Sequence, residues 1–415
     1  MKIAMVSEHA NPLAVIGGVD AGGQNIHVAA LSAALARRGH DVTVFTRRDD
    51  PAVPTQVRTA DGYTVEHVPA GPPTDVPKDD LLPHMSAFGD YLAERWVSEP
   101  FDIAHAHFWM SGLAATRAAR TAAIPVVQTF HALGTVKRRH QGANDTSPPE
   151  RIHCESELCA GVDHIIATCT DEVKELSAMG VDDGLVSVVP CGVNLDLFRP
   201  KAQLDAEFDA ELGQSCRVRL LSVGRLVERK GLADIVDALP DVPEAELVVA
   251  GGPSADALWL DPEVQRLTAR AQANGTADRL RFLGRVRREQ MPGLFTAGDL
   301  VVTVPWYEPF GIVPVEAMAC GRPVVGSAVG GLLDTVVPGV TGEVVPPHDP
   351  GRLAEVLREL IDDPDRRRAY GHAGVERARS RYSWHTVARR TEDAYAWVRS
   401  RTSAASPAQH MEVWR

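Results

Sequence analysis

Two glutamates with seven residues between them hold the strongest chemical signal in the chain: Glu308, followed by Pro-Phe-Gly-Ile, and Glu316, followed by Ala-Met-Ala-Cys-Gly-Arg-Pro-Val-Val. A carboxylate can accept two hydrogen bonds from neighbouring hydroxyls of a sugar ring or ribose. The plainer alternative is a loop glutamate in solvent and a helix glutamate favoured by the helix dipole. A second group is cationic. Arg225 and Lys230 follow an apolar run at 219–223 and precede a helical pattern, so both stand where a strand gives way to a helix start and where a diphosphate would bind. In the first half, histidines recur at strand ends: His105 and His107 in Ile-Ala-His-Ala-His, and His131 in Thr-Phe-His-Ala-Leu-Gly. Two histidines alternating on one strand face could begin a metal site. No third ligand accompanies them, and the structural reading is the better one.

These residues need a frame, and the chain supplies it as strands ending in glycine or polar loops. Residues 2–6 read as a first strand, followed by a loop with Gly17, Gly18, Asp20, Gly22 and Gly23, a helix over 24–38 stopped by Gly39, and a strand over 41–46. Paired glycines let backbone approach a diphosphate, although Gly18-Val-Asp-Ala-Gly22-Gly23 lacks the order of a dinucleotide fingerprint. A proline-rich connection over 68–83 leads to a helical stretch with Phe88, Tyr91, Leu92 and Trp96. Around the glutamates, 300–304 reads as a buried strand ended by Pro305, and 316–320 as a short helix closed by Gly321 and Pro323. Glu308 then lies in a loop and Glu316 at a helix start. His348-Asp349-Pro350 opens a helical tail whose last helix runs to about residue 400, with 401–415 as a loose end.

With 415 residues, 44% of them hydrophobic, the chain has length for two to three domains and enough apolar residues to give each a core. No window is long and apolar enough to span a membrane. The first residues are too short an apolar run for a signal peptide, so a cytoplasmic location is expected. The six cysteines show no metal-type spacing and read as mostly buried thiols. A net charge of -12 disfavours nucleic acid and anionic lipid as partners.

The spacing of Glu308 and Glu316, with Pro-Phe-Gly after the first, Ala-Met-Ala-Cys-Gly after the second and Gly330-Gly331 beyond, resembles the paired-glutamate signature of the retaining glycosyltransferases of family 4. The resemblance covers residues 1 to about 400. It implies the GT-B architecture: α/β, two Rossmann-like doubly wound domains facing a cleft. The first would span 1–196 and bind acceptor, the second 197–383 and bind donor, and a helix over 384–400 would return to the first. It further implies that Glu308 contacts donor-sugar hydroxyls, that Glu316 holds the ribose, and that Arg225 and Lys230 act on the donor diphosphate. Phe310, Gly311, Ile312 and the turn at Arg285 would complete the donor site, with Gly22 and Gly23 at the diphosphate. His131 would lie beside the anomeric carbon, making His131, Arg225, Lys230 and Glu308 the catalytic set.

The acceptor side would hold Lys78, His107, Phe108 and Arg151. Mycothiol-pathway members of the family use basic residues near the positions of Lys78 and Arg151 to hold an acceptor phosphate, helped by a Tyr and a Thr. Here Phe108 and Ala132 stand in those two places, which removes two hydroxyl donors and argues against a phosphomonoester.

The expected function is retaining, metal-independent transfer of a sugar from a UDP- or GDP-sugar to a small molecule, with no cofactor beyond that co-substrate. The many Ala, Arg and Gly residues suit a high-GC bacterium, where such relatives serve thiol-cofactor, disaccharide and antibiotic-sugar assembly. Expected partners are donor and acceptor, with a homodimer compatible and no stable membrane insertion. A nucleotide-sugar epimerase or phosphorylase would share the fold, and an epimerase would need no acceptor. A non-catalytic nucleotide-sugar-binding protein would be marked by loss of Arg225, Lys230 or the glutamate pair, and all four are present.

Overall fold

In the computed structural model, residues 1–14, 22–200, 212–213 and 217–404 are described. They form two compact units, Met1–Pro190 joined by the chain from Trp384 onward, and Cys191–Ser383. The first unit therefore ends at Pro190 rather than near residue 196. Cys191, Val193 and Phe198 already belong to the core of the second unit, and the Val193 N–H donates to the Tyr382 carbonyl at 2.7 Å.

The first unit contains β1 (Lys2–Val6), β2 (Asp41–Arg47), β3 (Gln56–Arg58), β4 (Thr64–Val68), β5 (Ile103–His107), β6 (Val126–Thr129), β7 (His164–Ala167) and β8 (Val186–Val188). They make one sheet in the order β3-β4-β2-β1-β5-β6-β7-β8, parallel except for the pair β3 and β4. Strand side chains alternate between faces, and β1 shows the result. Ala4 and Val6 pack with Phe88, Leu92 and Trp96 of α2 (Met85–Ser98) and with Trp109 and Met110 of α3 (Trp109–Ala122). Ile3 and Met5 pack the other way, with Val28, Leu31 and Leu35 of α1 (Gly23–Arg37) and with Val387 and Tyr395 of the closing helix Trp384–Ala404. That helix runs past the expected end at residue 400.

The second unit contains β9 (Val218–Val223), β10 (Ala245–Ala250), β11 (Leu280–Gly284), β12 (Leu300–Thr303), β13 (Val324–Ser327) and β14 (Gly342–Val345), all parallel, in the order β11-β10-β9-β12-β13-β14. Leu220, Leu247 and Val302 face one apolar layer, while Leu221, Val248 and Val301 face the other. Both sheets are doubly wound. In each, the central strand (β1 or β9) has neighbours leading away in opposite chain directions, and a crevice opens outside the carboxyl ends at that point.

The helix after Glu308 is Ile312–Ala319, four residues earlier than expected. Gly311, at φ 83°, turns the chain into it, and Pro314 lies in its first turn, where no backbone N–H is needed. Glu316 is thus in the second turn, and the free N–H groups of the helix start belong to residues before it.

Candidate functional site

In the second unit the switch point brings two distant segments together. β9 leads to Arg225 and to the short turn Glu228–Lys230, while its neighbour β12 leads to Glu308. The Lys230 ammonium donates to a carboxylate oxygen of Glu308. Gly231, at φ 69°, permits this approach: a Cβ there would sit 1.9 Å from the Val304 carbonyl oxygen. The Glu308 loop is held from the other side by Gly331, whose N–H donates to the Glu308 carbonyl at 3.0 Å, and a Cβ on Gly330 would lie 2.1 Å from that same oxygen. Burial alone would raise the pKa of Glu308, but Lys230, with Arg229 and Arg225 behind it, outweighs burial and holds it below the ordinary carboxylate value. Glu308 is therefore an anion, and cations surround it.

Glu316 is 3% exposed, and Arg288 Nη2 donates to its Oε1 at 2.7 Å. Burial pushes its pKa up, and Arg288 offsets that only in part. Arg288 itself stacks over Phe198 at 5.0 Å. Nothing in the sequence singled it out among Arg285, Arg287 and Arg288. Phe310 is buried against Tyr382, with ring centroids 6.1 Å apart, and Ile312 is half-buried. The Arg285 N–H is taken by the Pro253 carbonyl at 2.9 Å, so only its carbonyl and its exposed side chain are left to meet a base.

In the first unit, β1, β5 and β6 lie side by side, and their ends gather histidines. His105 and His107 share a face, with ring centroids 4.2 Å apart. His105 bonds Tyr395 Oη at 2.7 Å and Thr129 Oγ1 at 2.9 Å. His107 Nδ1 lies 2.9 Å from His131 Nε2, and His107 Nε2 lies 2.8 Å from Met5 Sδ. His27 of α1 packs on both, with centroids 5.5 Å from His107 and 5.0 Å from His131. Burial lowers the pKa of His27 to about 4, and burial with repulsion from His27 and His164 lowers His105 to about 3. His107 and His131 are pushed well below the ordinary value, first by burial and then by neighbouring imidazoles. Among the described residues, no group of three or more His, Cys, Asp or Glu could hold a metal ion.

His107 was expected at the acceptor. It is fully buried with both ring nitrogens engaged, so its side chain offers nothing to a ligand. Phe108 is buried too, at φ 82° and ψ 156°, a conformation that is essentially glycine's, and His131 has φ 61°. Strain of this kind is held in place by its surroundings and gathers at functional sites. Beside them, Glu8 is buried, bonded to Ser111 and to His9 Nδ1 at 2.7 Å, and the His9 ring meets Phe108 edge-on at 4.9 Å.

Arg151 is another correction. It is 2% exposed, and its guanidinium donates to Glu155 Oε1 at 2.7 Å, to Ser147 Oγ at 3.1 Å and to the Ala132 carbonyl at 2.6 Å. It braces the loop that carries His131 instead of facing solvent. Glu155 completes the brace by accepting from the Gly134 N–H at 2.8 Å. Lys137 meets Asp145 at 3.0 Å and Ser147 Oγ at 2.8 Å, and Thr146 ties this segment to Asp79, next to Lys78. Lys137 and Arg151 share Ser147 Oγ, interleaved with Asp79, Asp145 and Glu155. Gly22 and Gly23 are exposed at the start of α1, where Gln24 Nε2 donates to the His107 carbonyl at 3.3 Å. The preceding loop at 15–21, with Gly17, Gly18 and Asp20, lies outside the described residues.

Five cysteines among the described residues are free thiols, four of them buried. No helix there is long and apolar enough to cross a membrane.

Comparison with known proteins places these features. The glycosyl transferases group 1 model matches residues 207–377, and the glycosyltransferase family 4 model matches residues 21–197. A D-inositol 3-phosphate glycosyltransferase of Xylanimonas cellulosilytica is 38% identical over 414 residues, 97% of this chain and 98% of that protein. Sucrose-phosphate synthase from Thermosynechococcus elongatus aligns with a TM-score of 0.85 and 32% identity, covering 98% of this chain and 100% of that one. Anabaena HepE, in complex with UDP-glucose, shares the fold, with a TM-score of 0.74 and 22% identity over 96% of this chain and 100% of that one. The two parallel-sheet units are those of the GT-B fold. Paired glutamates on such a frame, with relatives matched almost end to end, show that the chain belongs to family 4 of the glycosyltransferases and is a glycosyltransferase.

Proposed function

We propose that the protein transfers a sugar from a nucleoside diphosphate sugar to a small polyhydroxy acceptor with retention at the anomeric carbon. The observation that carries this is the Lys230–Glu308 contact at the switch point of the second sheet. It puts an anion suited to sugar hydroxyls beside a cation suited to a departing phosphate, with Arg225 on the same loop. Attack and departure occur on one face of the sugar, and the leaving phosphate takes the acceptor's proton. Arg225, Lys230 and the free N–H groups at the start of the helix Ile312–Ala319 stabilise the developing charge, with no metal cofactor. Glu316 takes the ribose hydroxyls, and His131 lies at the transferred sugar. The UDP-glucose complex of HepE, a protein of the same fold, makes UDP-glucose the first donor to try.

The acceptor is proposed to be neutral, zwitterionic or carboxylate-bearing. Lys137 and Arg151 are already matched by Asp145 and Glu155, and Phe108 and Ala132 offer no side-chain hydroxyl to a phosphate. The names of the relatives favour a second reading, inositol 3-phosphate. A competition assay decides between them, reading nucleotide release from the preferred donor with inositol phosphate against neutral and carboxylate-bearing polyols. Efficient transfer to inositol phosphate would replace the first reading, and donor conversion without any acceptor would point to an epimerase.

A further inference from the structure

We infer that Met5 and His107 are positioning residues that set the tautomer of His131, leaving its Nδ1 unprotonated as a hydrogen-bond acceptor for a hydroxyl of the reacting sugars. This rests on the proposal that His131 lies at the transferred sugar. The three residues come from adjacent strands: Met5 from β1, His107 from the end of β5, and His131 from just beyond β6.

His107 Nδ1 and His131 Nε2 are 2.9 Å apart, so one of the two must carry the hydrogen. The other nitrogen of His107 is 2.8 Å from Met5 Sδ, and both residues are fully buried. A thioether sulfur has no hydrogen to give and can only accept. A proton on His107 Nδ1 would leave an Nε2 lone pair against the sulfur lone pairs, with no water to relieve it. A proton on Nε2 satisfies the sulfur and turns Nδ1 into an acceptor. His131 must then donate from Nε2, and its own Nδ1 carries the lone pair.

Three further observations agree. Both rings are held neutral by burial and by the imidazoles around them. His131 Nδ1 has no partner among the described residues. The residue is also held at φ 61°, uncommon for a residue with a side chain, in the loop that Arg151 and Glu155 brace through the Ala132 carbonyl and the Gly134 N–H. The nitrogen accepts a hydrogen bond and takes no proton, so it orients a hydroxyl while the leaving phosphate remains the base.

The test is nitrogen NMR of the full chain labelled with 15N-histidine, with His131→Asn identifying the His131 signals. The wild type should show a protonated Nε2 and an unprotonated Nδ1. Met5→Leu removes the sulfur but keeps an apolar side chain of similar size, and should mix the two tautomers. His107→Gln, whose amide oxygen can accept from His131, should keep the wild-type tautomer, whereas His107→Leu should not. In kinetics, Met5→Leu should lower kcat about tenfold with donor KM nearly unchanged, as for an interaction tightened in the transition state. A proton on Nδ1 of wild-type His131 overturns the inference, and so does an unaltered tautomer with unaltered kcat in Met5→Leu. Failure of every nucleotide sugar as donor would overturn the proposed reaction instead, and the tautomer pattern would still decide this point.

Discussion

Arg288 and Glu316, 28 positions apart in sequence, meet at 2.7 Å, and the guanidinium uses one oxygen of a carboxylate that is otherwise almost sealed from water. The second oxygen, Oε2, has no partner among the described residues. Arg288 thus does two things. It opposes the desolvation that raises the pKa of this buried carboxylate, and it orients the free oxygen for ligand hydroxyls.

Replacing Arg288 with alanine should therefore weaken nucleotide binding although Arg288 need not touch the nucleotide. A charged hydrogen bond is worth roughly 1.5 to 3 kcal/mol, so the loss should be about ten- to hundredfold in Kd near neutral pH. Raising the pH should restore part of it by ionising Glu316. Calorimetric titration with nucleoside diphosphate across pH checks this, and an unchanged Kd in Arg288→Ala would refute it.

The two glutamates should separate kinetically. Glu316→Ala should raise the Kd for nucleotide, while Glu308→Ala should mainly lower turnover. Lys230→Ala should cut kcat by about a hundredfold or more, as does loss of a group aimed at developing charge, with little change in unfolding midpoint because its side chain is partly exposed. Identical kinetics in both glutamate variants, or wild-type turnover in a folded Lys230→Ala, would sink this division of roles.

Arg151 should prove structural. Breaking a buried ion pair by removing one partner costs about 3 to 5 kcal/mol, and the side chains of Arg151 and Glu155 are 3% and 0% exposed. Urea unfolding of Arg151→Met should show such a loss, and adding Glu155→Leu should recover much of it. A stable Arg151→Met that has lost only acceptor affinity would place the residue at the ligand after all.

The buried histidines make stability depend on pH. An unfolded histidine gains its proton near 6.5, whereas His27 in the fold waits until about 4 and His105 until about 3. Between those values the unfolded chain binds more protons, so stability is full above 6.5 and falls as pH drops through the window. Each such histidine costs about 1.4 kcal/mol per pH unit there. The thermal midpoint should decline steeply between pH 6.5 and 5, and less steeply in His105→Phe. A flat profile over that interval would contradict the neutral, buried cluster.

The local grammar of the chain was enough to place much of this. The spacing of Glu308 and Glu316 is read directly, and Glu308, the glycine pair at 330 and 331 and the cations at 225 and 230 follow strands that are readable from apolar runs, because period and turn chemistry are properties of short segments. The helix carrying Glu316 starts at Ile312, four residues before the expected 316, because Pro314 falls in its first turn, where no backbone N–H is needed.

Contacts between segments were decided by strand order. Lys230 reaches Glu308 because β9 and β12 are neighbours, and His107 reaches Met5 because β1 and β5 are. Nothing in a one-dimensional pattern chooses Arg288 over Arg285 and Arg287 as the partner of Glu316, or turns Arg151 inward to Glu155. A charge is drawn as a solvated ligand-binding group until packing buries it, and burial then requires a counter-charge from wherever the fold supplies one. Residue type and spacing determined which chemistry the chain could carry, while the tertiary structure decided which charges remain available for it.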